Sequence, residues 1–238
     1  YDMKELKGEE INLNEVASKI IDEAILKANA GYVESGKYSI VLSGKQMRTI
    51  LSAFVSAFSA KMAQMGMSLL AGKEGEKIAA DCVTLIDDPQ KEGSATQTAF
   101  DGEGVATYTK NVIENGVLKT LLYDIASADK VGKESTGNGQ RGSYASPVSV
   151  APYHFYLAGG KLSDDELLAS MGDGIYITEL KGLHAGANAV TGDFSIESAG
   201  FRVRDGKKCE AIKSFTVAGN FFELIKSVEA LAADVKFG

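Results

Sequence analysis

Residues 182–220 read GLHAGANAVTGDFSIESAGFRVRDGKKCEAIKSFTVAGN. The first part is small and polar, with Gly182, Gly186, Asn188, Thr191, Gly192, Asp193 and Ser195 in one short window. Such residues favour sharp turns and close backbone approach over side-chain packing. From Phe194 onward apolar and polar residues alternate, the period of a half-buried strand. Two such runs, about 194–204 and 208–218, flank Asp205-Gly206, a two-residue hairpin signature. Asn220 stands just before an apolar-periodic run, Phe221–Val235, with Phe222, Ile225, Val228, Leu231 and Ala232 on one face. It is the expected N-cap of a closing helix.

Working outward, residues 12–30 carry Leu13, Val16, Ile20, Ile21, Ala24, Ile25 and Ala28 at helical spacing, with Asn12 and Glu15 as a cap and Gly31 as the stop. A strand follows at Tyr38–Leu42. Residues 45–65 read as one helix that is apolar on more than one face and therefore well buried: Met47, Ile50, Leu51, Phe54, Val55, Phe58, Met62 and Met65. Cys82–Ile86 is an expected strand. Val105–Ile113 and Val117–Tyr123 flank Asn115-Gly116 as a second hairpin. Residues 124–149 read as a long loop, His154–Leu157 as a strand, Ser163 as the cap of a helix to about Met171, and Gly174–Leu180 as a strand. Strands and helices do not alternate regularly. The expected class is α+β, with mainly antiparallel sheets in a barrel- or sandwich-like arrangement and flanking helices.

The chain has 238 residues, 45% hydrophobic and 24% charged, with 26 Gly, 3 Pro and a net charge of −7. That length can bury a substantial core. The acidic balance argues against a nucleic-acid partner, which needs a basic footprint. No apolar run reaches about 18 residues, so no membrane span is expected. Two cysteines far apart, Cys82 and Cys209, fit a reduced, cytoplasmic setting. The chain starts at Tyr1 rather than Met, as a piece of a longer polypeptide would.

Few residues single themselves out chemically. Gly137-Asn-Gly-Gln-Arg-Gly142 has the spacing Gly-x-Gly-x-x-Gly, but lacks a preceding strand and a following helix, so nucleotide binding is not expected. His154 heads an apolar strand and reads as structural. His184 lies in the glycine-rich loop, where function concentrates, and is a weak catalytic candidate. Cys82 is expected to be buried and inert, and Cys209 partly exposed. Asp87 and Asp88 read as a turn closing a strand; as neighbours on a strand they would point to opposite faces. Two His and two Cys at these separations make no local zinc pattern. There is no Gly-x-Ser-x-Gly elbow.

One set of blocks does carry a resemblance: Gly186-Ala-Asn-Ala-Val-Thr-Gly-Asp-Phe-Ser195, Ala199-Gly-Phe-Arg-Val203, Asp205-Gly206 and Phe215-Thr-Val-Ala-Gly-Asn220. Phe58-Ser59, residues 68–78, Val83–Pro89 and Ser135–Asn138 agree and fall in the same order. From about Ile40 to the C-terminus the sequence resembles the TldD/PmbA family, called modulators of DNA gyrase or PmbA/TldE-type peptidase proteins. Members are about twice as long, so residues 1–238 are expected to be a C-terminal domain. The resemblance implies a cytoplasmic zinc peptidase system acting on peptides. In it a TldD-like subunit carries a His-Glu-x-x-x-His helix and pairs with a PmbA/TldE-type partner. Here the corresponding segment, Ser43 to Gln64, holds no His, Cys, Asp or Glu.

The expectation is therefore a non-catalytic subunit that holds no metal or cofactor itself, zinc belonging only to a TldD-like partner. The chain would pair with that partner or with itself and help form a peptide chamber. Gly137, Asn138, Gly139, His184, Gly186, Asn188, Thr191, Gly192 and Asp193 are the candidates for lining the chamber or the interface. A stand-alone homodimeric scaffold is the alternative. A residual metal site built from His184, Cys209 or Asp193 is the weakest reading.

Overall fold

The structure is a computed structural model and describes residues 12–28, 30–94 and 96–233. In chain order the helices are α1 (Leu13–Ala28), α2 (Gly44–Phe54), α3 (Ala60–Gln64), α4 (Ile125–Asp129), α5 (Asp164–Met171), α6 (Leu183–Gly186) and α7 (Phe221–Lys226). The strands are β1 (Ile40–Leu42), β2 (Leu85–Asp87), β3 (Lys110–Glu114), β4 (Val117–Leu118), β5 (Gly139–Gln140), β6 (Ser149–Val150), β7 (Phe155–Leu157), β8 (Gly174–Lys181), β9 (Asp193–Arg204) and β10 (Lys207–Asn220). They form two four-stranded sheets, ordered β1-β8-β9-β10 and β4-β3-β2-β7, and the small pair β5-β6. Apart from the parallel β1–β8 pair, the strand ladders are antiparallel. This is the expected α+β class, in two sheets rather than a closed barrel.

The quoted stretch builds the long β9–β10 hairpin. Asp205 and Gly206 both have positive φ, 48° and 72°, the turn whose twist matches its flanking strands. Burial along β9 alternates as the sequence does, with Phe194, Ile196 and Ser198 inward. Asn220 caps α7 by accepting hydrogen bonds from the Phe222 and Glu223 amides.

The segment expected as one helix over 45–65 is three pieces: α2, a 3-10 turn over Val55–Phe58, and α3. Ser59 is extended between them (φ −78°, ψ 123°). Tertiary pairing breaks the helix there: the Leu122 amide donates to the Phe58 carbonyl, and the Ala60 amide to the Leu122 carbonyl, both at 2.9 Å. The burial expectation holds for Ile50, Leu51, Phe54 and Phe58, whereas Met47, Val55 and Met62 are half-buried and Met65 is exposed. Phe54 and Phe58 are fully buried. Phe54 stacks on Phe221 at 4.6 Å and meets Phe194 of β9 edge-on, while Phe58 meets Phe155 of β7 edge-on at 5.3 Å. This aromatic chain joins the two sheets into one core.

Other elements depart from expectation where tertiary contacts supply alternatives. The closing helix ends at Lys226, not Val235. Beyond it Ala232 bridges Leu162, and the Gly160 amide donates to the Ala232 carbonyl at 2.7 Å, so the chain runs strand-like instead; residues 234 and 235 lie outside the described residues. The long loop 124–149 contains α4, held by a capping box of Asp124 and Ser127, and the β5–β6 hairpin. Cys82 is exposed rather than buried, its thiol donating to the Val228 carbonyl, because the strand starts only at Leu85. The Asn115-Gly116 hairpin forms with shorter strands than expected. The N-terminal helix is α1, with position 29 outside the described residues.

Candidate functional site

Two glycine-rich segments carry the candidate residues, and the fold treats them differently. In the first, Gly137 takes φ 69°. That turn sends Asn138, fully buried, behind β2 and β3. Its amide donates to a carboxylate oxygen of Asp87 at 2.7 Å and to the Ala151 carbonyl at 3.1 Å. Its side-chain oxygen accepts from the Thr136 hydroxyl at 2.7 Å. Asp87 is also fully buried; it accepts from the Tyr153 amide at 2.7 Å and forms an ion pair with Lys110 at 3.1 Å. The next amide, Gly139, donates to Asp101 at 2.9 Å. The other oxygen of Asp101 accepts from the Glu103 and Val105 amides.

The electrostatics follow from this burial. Removal from water pulls the Lys110 ammonium below its ordinary value, opposed by the carboxylate of Asp87. Lys110 also lies 4.5 Å from the centre of the Tyr108 ring. Burial, then the charges of Asp101 and Asp87, pushes the Tyr153 phenol up to about 12. Asp88 points the other way, as adjacent strand residues must. It accepts from the Thr109 hydroxyl at 2.7 Å and from the Tyr156 phenol at 3.4 Å. Asp88 opens the expected turn, its carbonyl accepting from the Lys91 amide at 3.3 Å, while Asp87, the last residue of β2, is in addition the centre of a satisfied polar network, which rigidifies what it touches.

The second segment, 182–195, is a surface turn. His184 lies exposed on α6. The Asn188 side chain accepts from the Val190 and Thr191 amides, and the Gly192 amide returns to the Asn188 carbonyl at 2.8 Å. Gly192 sits at φ 84° with its α-carbon against the Phe222 ring, so a side chain there is strained and meets that ring within 3 Å. Gly186 lies close against the Ser195 carbonyl of β9. The Asn220 amide donates to Asp193 at 2.9 Å and to the Thr191 carbonyl. The Asn220 amide, then Thr191, holds the Asp193 carboxyl below its ordinary value.

Among the described residues no hydrogen bond or ion pair links these two clusters. Asn188, Thr191 and Asp193 are occupied in shaping their own turn, and Asn138 in filling the interior. His184 is left as the exposed, chemically versatile side chain of the set. His154 behaves as a structural histidine, its ring paired with the Thr96 carbonyl at 2.9 Å. Gly139-Gln140 is a strand followed by a loop and β6 rather than directly by a helix, so the Gly-x-Gly-x-x-Gly spacing makes no phosphate loop.

Among the described residues the donors do not gather into a metal site. Among the described residues no three His, Cys, Asp or Glu side chains converge. The supposed trio of His184, Cys209 and Asp193 is not assembled: Cys209 donates to the Lys207 carbonyl on the hairpin, and Asp193 is bound to Asn220. No helix among the described residues is long and apolar enough to cross a membrane. Sequence reading missed Lys110, Asp101 and Tyr153. Its only signal was a pair of aspartates at a strand end, since Lys110 lies 23 and Tyr153 66 residues from Asp87, and Asp101 lies 38 from the Gly139 amide that it holds.

Residues 35–238 match the family model of the PmbA/TldA metallopeptidase C-terminal domain. The chain is 33% identical over 230 residues to a metalloprotease of Methanothermobacter thermautotrophicus, covering 95% of this chain and 50% of that one. A solved structure from Thermotoga maritima, named as a modulator of a DNA gyrase, superposes with a TM-score of 0.88 at 35% identity, over 94% of this chain and 51% of that one. TldE from Thermococcus kodakarensis superposes with a TM-score of 0.84 at 26% identity, over 94% and 51%. The chain thus spans about half the length of the relatives it matches. With the family model matched over residues 35–238 and the fold shared with solved relatives, the chain belongs to the PmbA/TldD family.

Proposed function

We propose that this chain is the C-terminal part of a non-catalytic, PmbA/TldE-type subunit in a cytoplasmic metallopeptidase system that degrades or matures peptides. One observation carries the reading. The segment Ser43–Gln64 has no side chain able to ligate zinc or act as a carboxylate base, and its apolar face is committed to the core through Ile50, Leu51, Phe54 and Phe58. Zinc and the hydrolytic base would come from a TldD-like subunit. This chain would supply walls of the peptide chamber, with the 182–195 turn and exposed His184 facing it. The relatives named metalloprotease and the TldE-like fold support the family side of this reading. Co-expression with a TldD-like protein tests it. The expected result is co-purification and peptide cleavage that needs both chains, with zinc bound by the partner alone. Cleavage that is unchanged when this chain is omitted, or stoichiometric zinc on this chain by itself, would overturn it.

A further inference from the structure

The sequence contains the dipeptide Asn-Gly twice, at Asn115-Gly116 and Asn138-Gly139. In this dipeptide the glycine nitrogen, with no side chain beside it, has open access to the asparagine side-chain carbonyl carbon. The fold places the two copies in opposite settings. Asn138 is fully buried, and its amide donates to Asp87 at 2.7 Å and to the Ala151 carbonyl at 3.1 Å, while its oxygen accepts from Thr136 at 2.7 Å. The Gly139 amide is committed to Asp101 at 2.9 Å. Neither reacting group is free to turn toward the other. Asn115 is exposed at the tip of the β3–β4 hairpin with φ 47°, and among the described residues no hydrogen bond engages its side chain. Only backbone donors restrain this turn. The Asn115 amide donates to the Thr84 hydroxyl at 3.1 Å, and the Gly116 amide to the Val83 carbonyl at 2.9 Å. Strand β4 is two residues long, so few bonds stand between the turn and its local opening.

We propose that Asn115 is a spontaneous modification site of the folded chain, converting to aspartate and isoaspartate while Asn138 is preserved. When the turn opens, the Gly116 nitrogen loses its proton to solvent and bonds to Cγ of Asn115. The Cγ–Nδ2 bond breaks, ammonia leaves, and a succinimide ring remains. Water then opens the ring, giving aspartate by attack at one carbonyl and isoaspartate by attack at the other. No oxidant, metal or cofactor enters the balance. The products carry a carboxylate where a neutral amide stood, and in isoaspartate the main chain runs through an extra methylene. The turn has no room for a lengthened chain. The Gly116 carbonyl accepts from the Ile78 and Ala79 amides at 2.8 and 3.0 Å, and a Cβ on Gly116 would stand 2.4 Å from the Ala79 carbonyl oxygen. Ile78 and Ala79 belong to the main core, so isoaspartate at 115 unfastens a core segment. This chemistry proceeds whether or not the chain takes part in peptide cleavage.

Peptide mapping by mass spectrometry tests the assignment on the 238-residue chain, incubated at mildly alkaline pH in native buffer and in concentrated urea. Isoaspartate is scored by enzymatic methylation of its carboxylate. In native buffer Asn115 is expected to convert at least about tenfold faster than Asn138, and in urea, where the fold no longer separates them, at a comparable rate. Asn115→Gly keeps a turn residue that accepts positive φ and lacks the reactive amide, so it is expected to abolish the isoaspartate formed in native buffer. Chain carrying isoaspartate at 115, isolated by ion exchange, is expected to unfold at a lower urea concentration than fresh chain. Native conversion of Asn138 at the rate of Asn115 overturns the proposal. So does an Asn115 that stays wholly intact in native buffer for as long as urea takes to convert it. An isoaspartyl chain with the urea midpoint of fresh chain overturns the unfastening of Ile78 and Ala79.

Discussion

The segments 137–142 and 182–195 are alike in composition and opposite in fate. Both are glycine-rich, both hold an asparagine, and both turn the chain sharply. In the first, Asn138 is carried inward to an aspartate that has a buried lysine to neutralise. In the second, Asn188 closes a surface turn on itself and leaves His184 in solvent. The difference lies in what stands behind each loop. Behind Asn138, strands β2 and β3 bury Asp87 and Lys110, and every remaining lone pair and donor must be matched there. Behind the second turn lies Phe222, which needs only a residue without a side chain at Gly192. Glycine content reports that something comes close to the backbone. It does not report whether that something is a carboxylate, a ring or water.

Three substitutions or conditions can break or sharpen this contrast. The largest effect is expected at Asp87→Ala. It leaves the Lys110 ammonium buried without its counter-charge and the Asn138 amide without an acceptor, at a cost of about 3–5 kcal/mol. Denaturant midpoints measure it, and a loss under about 1 kcal/mol would show that the network does not hold the first segment. The next effect is alkaline. The Tyr153 phenol keeps its proton in the fold to about 12, whereas in the unfolded chain it titrates near 10. Its folded value is raised, so its contribution is complete below pH 10 and is lost as pH climbs from about 10 to about 12. Melting temperatures of wild type and Tyr153→Phe across that window check the sign; parallel curves would refute it. The smallest effect is expected at His184→Ala. An exposed side chain on the second turn should shift stability by no more than about 0.5 kcal/mol. A larger loss in thermal unfolding would mean that the turn depends on its histidine.

The sequence was most legible where one local rule decides the outcome. Asp205-Gly206 and Asn115-Gly116 sit at hairpin turns because few other pairs tolerate two positive φ values in a row. Ser163 with Glu166, and Asn220 before Phe221, cap their helices by contacts three residues long or shorter. Legibility failed where a distant strand offered a better partner. The helical period of 45–65 continues through Ser59, yet Leu122 takes the backbone bonds there. The apolar spacing beyond Lys226 continues too, yet Leu162 draws that segment into strand pairing.

The functional candidates divide along the same line. Sequence by itself determined the family, through a collinear set of glycine-rich blocks, and determined that Ser43–Gln64 has no metal ligand, because a residue type that is absent cannot be supplied by folding. It also set the hairpin turns and the inward face of β9, since alternation and left-handed turn residues act over a few neighbours. Only the tertiary structure decided that Asp87 finds Lys110, Asn138 and Tyr153 and that His184 stays in solvent. Those outcomes depend on which groups lose water together, and that is set by contacts between residues far apart in the chain.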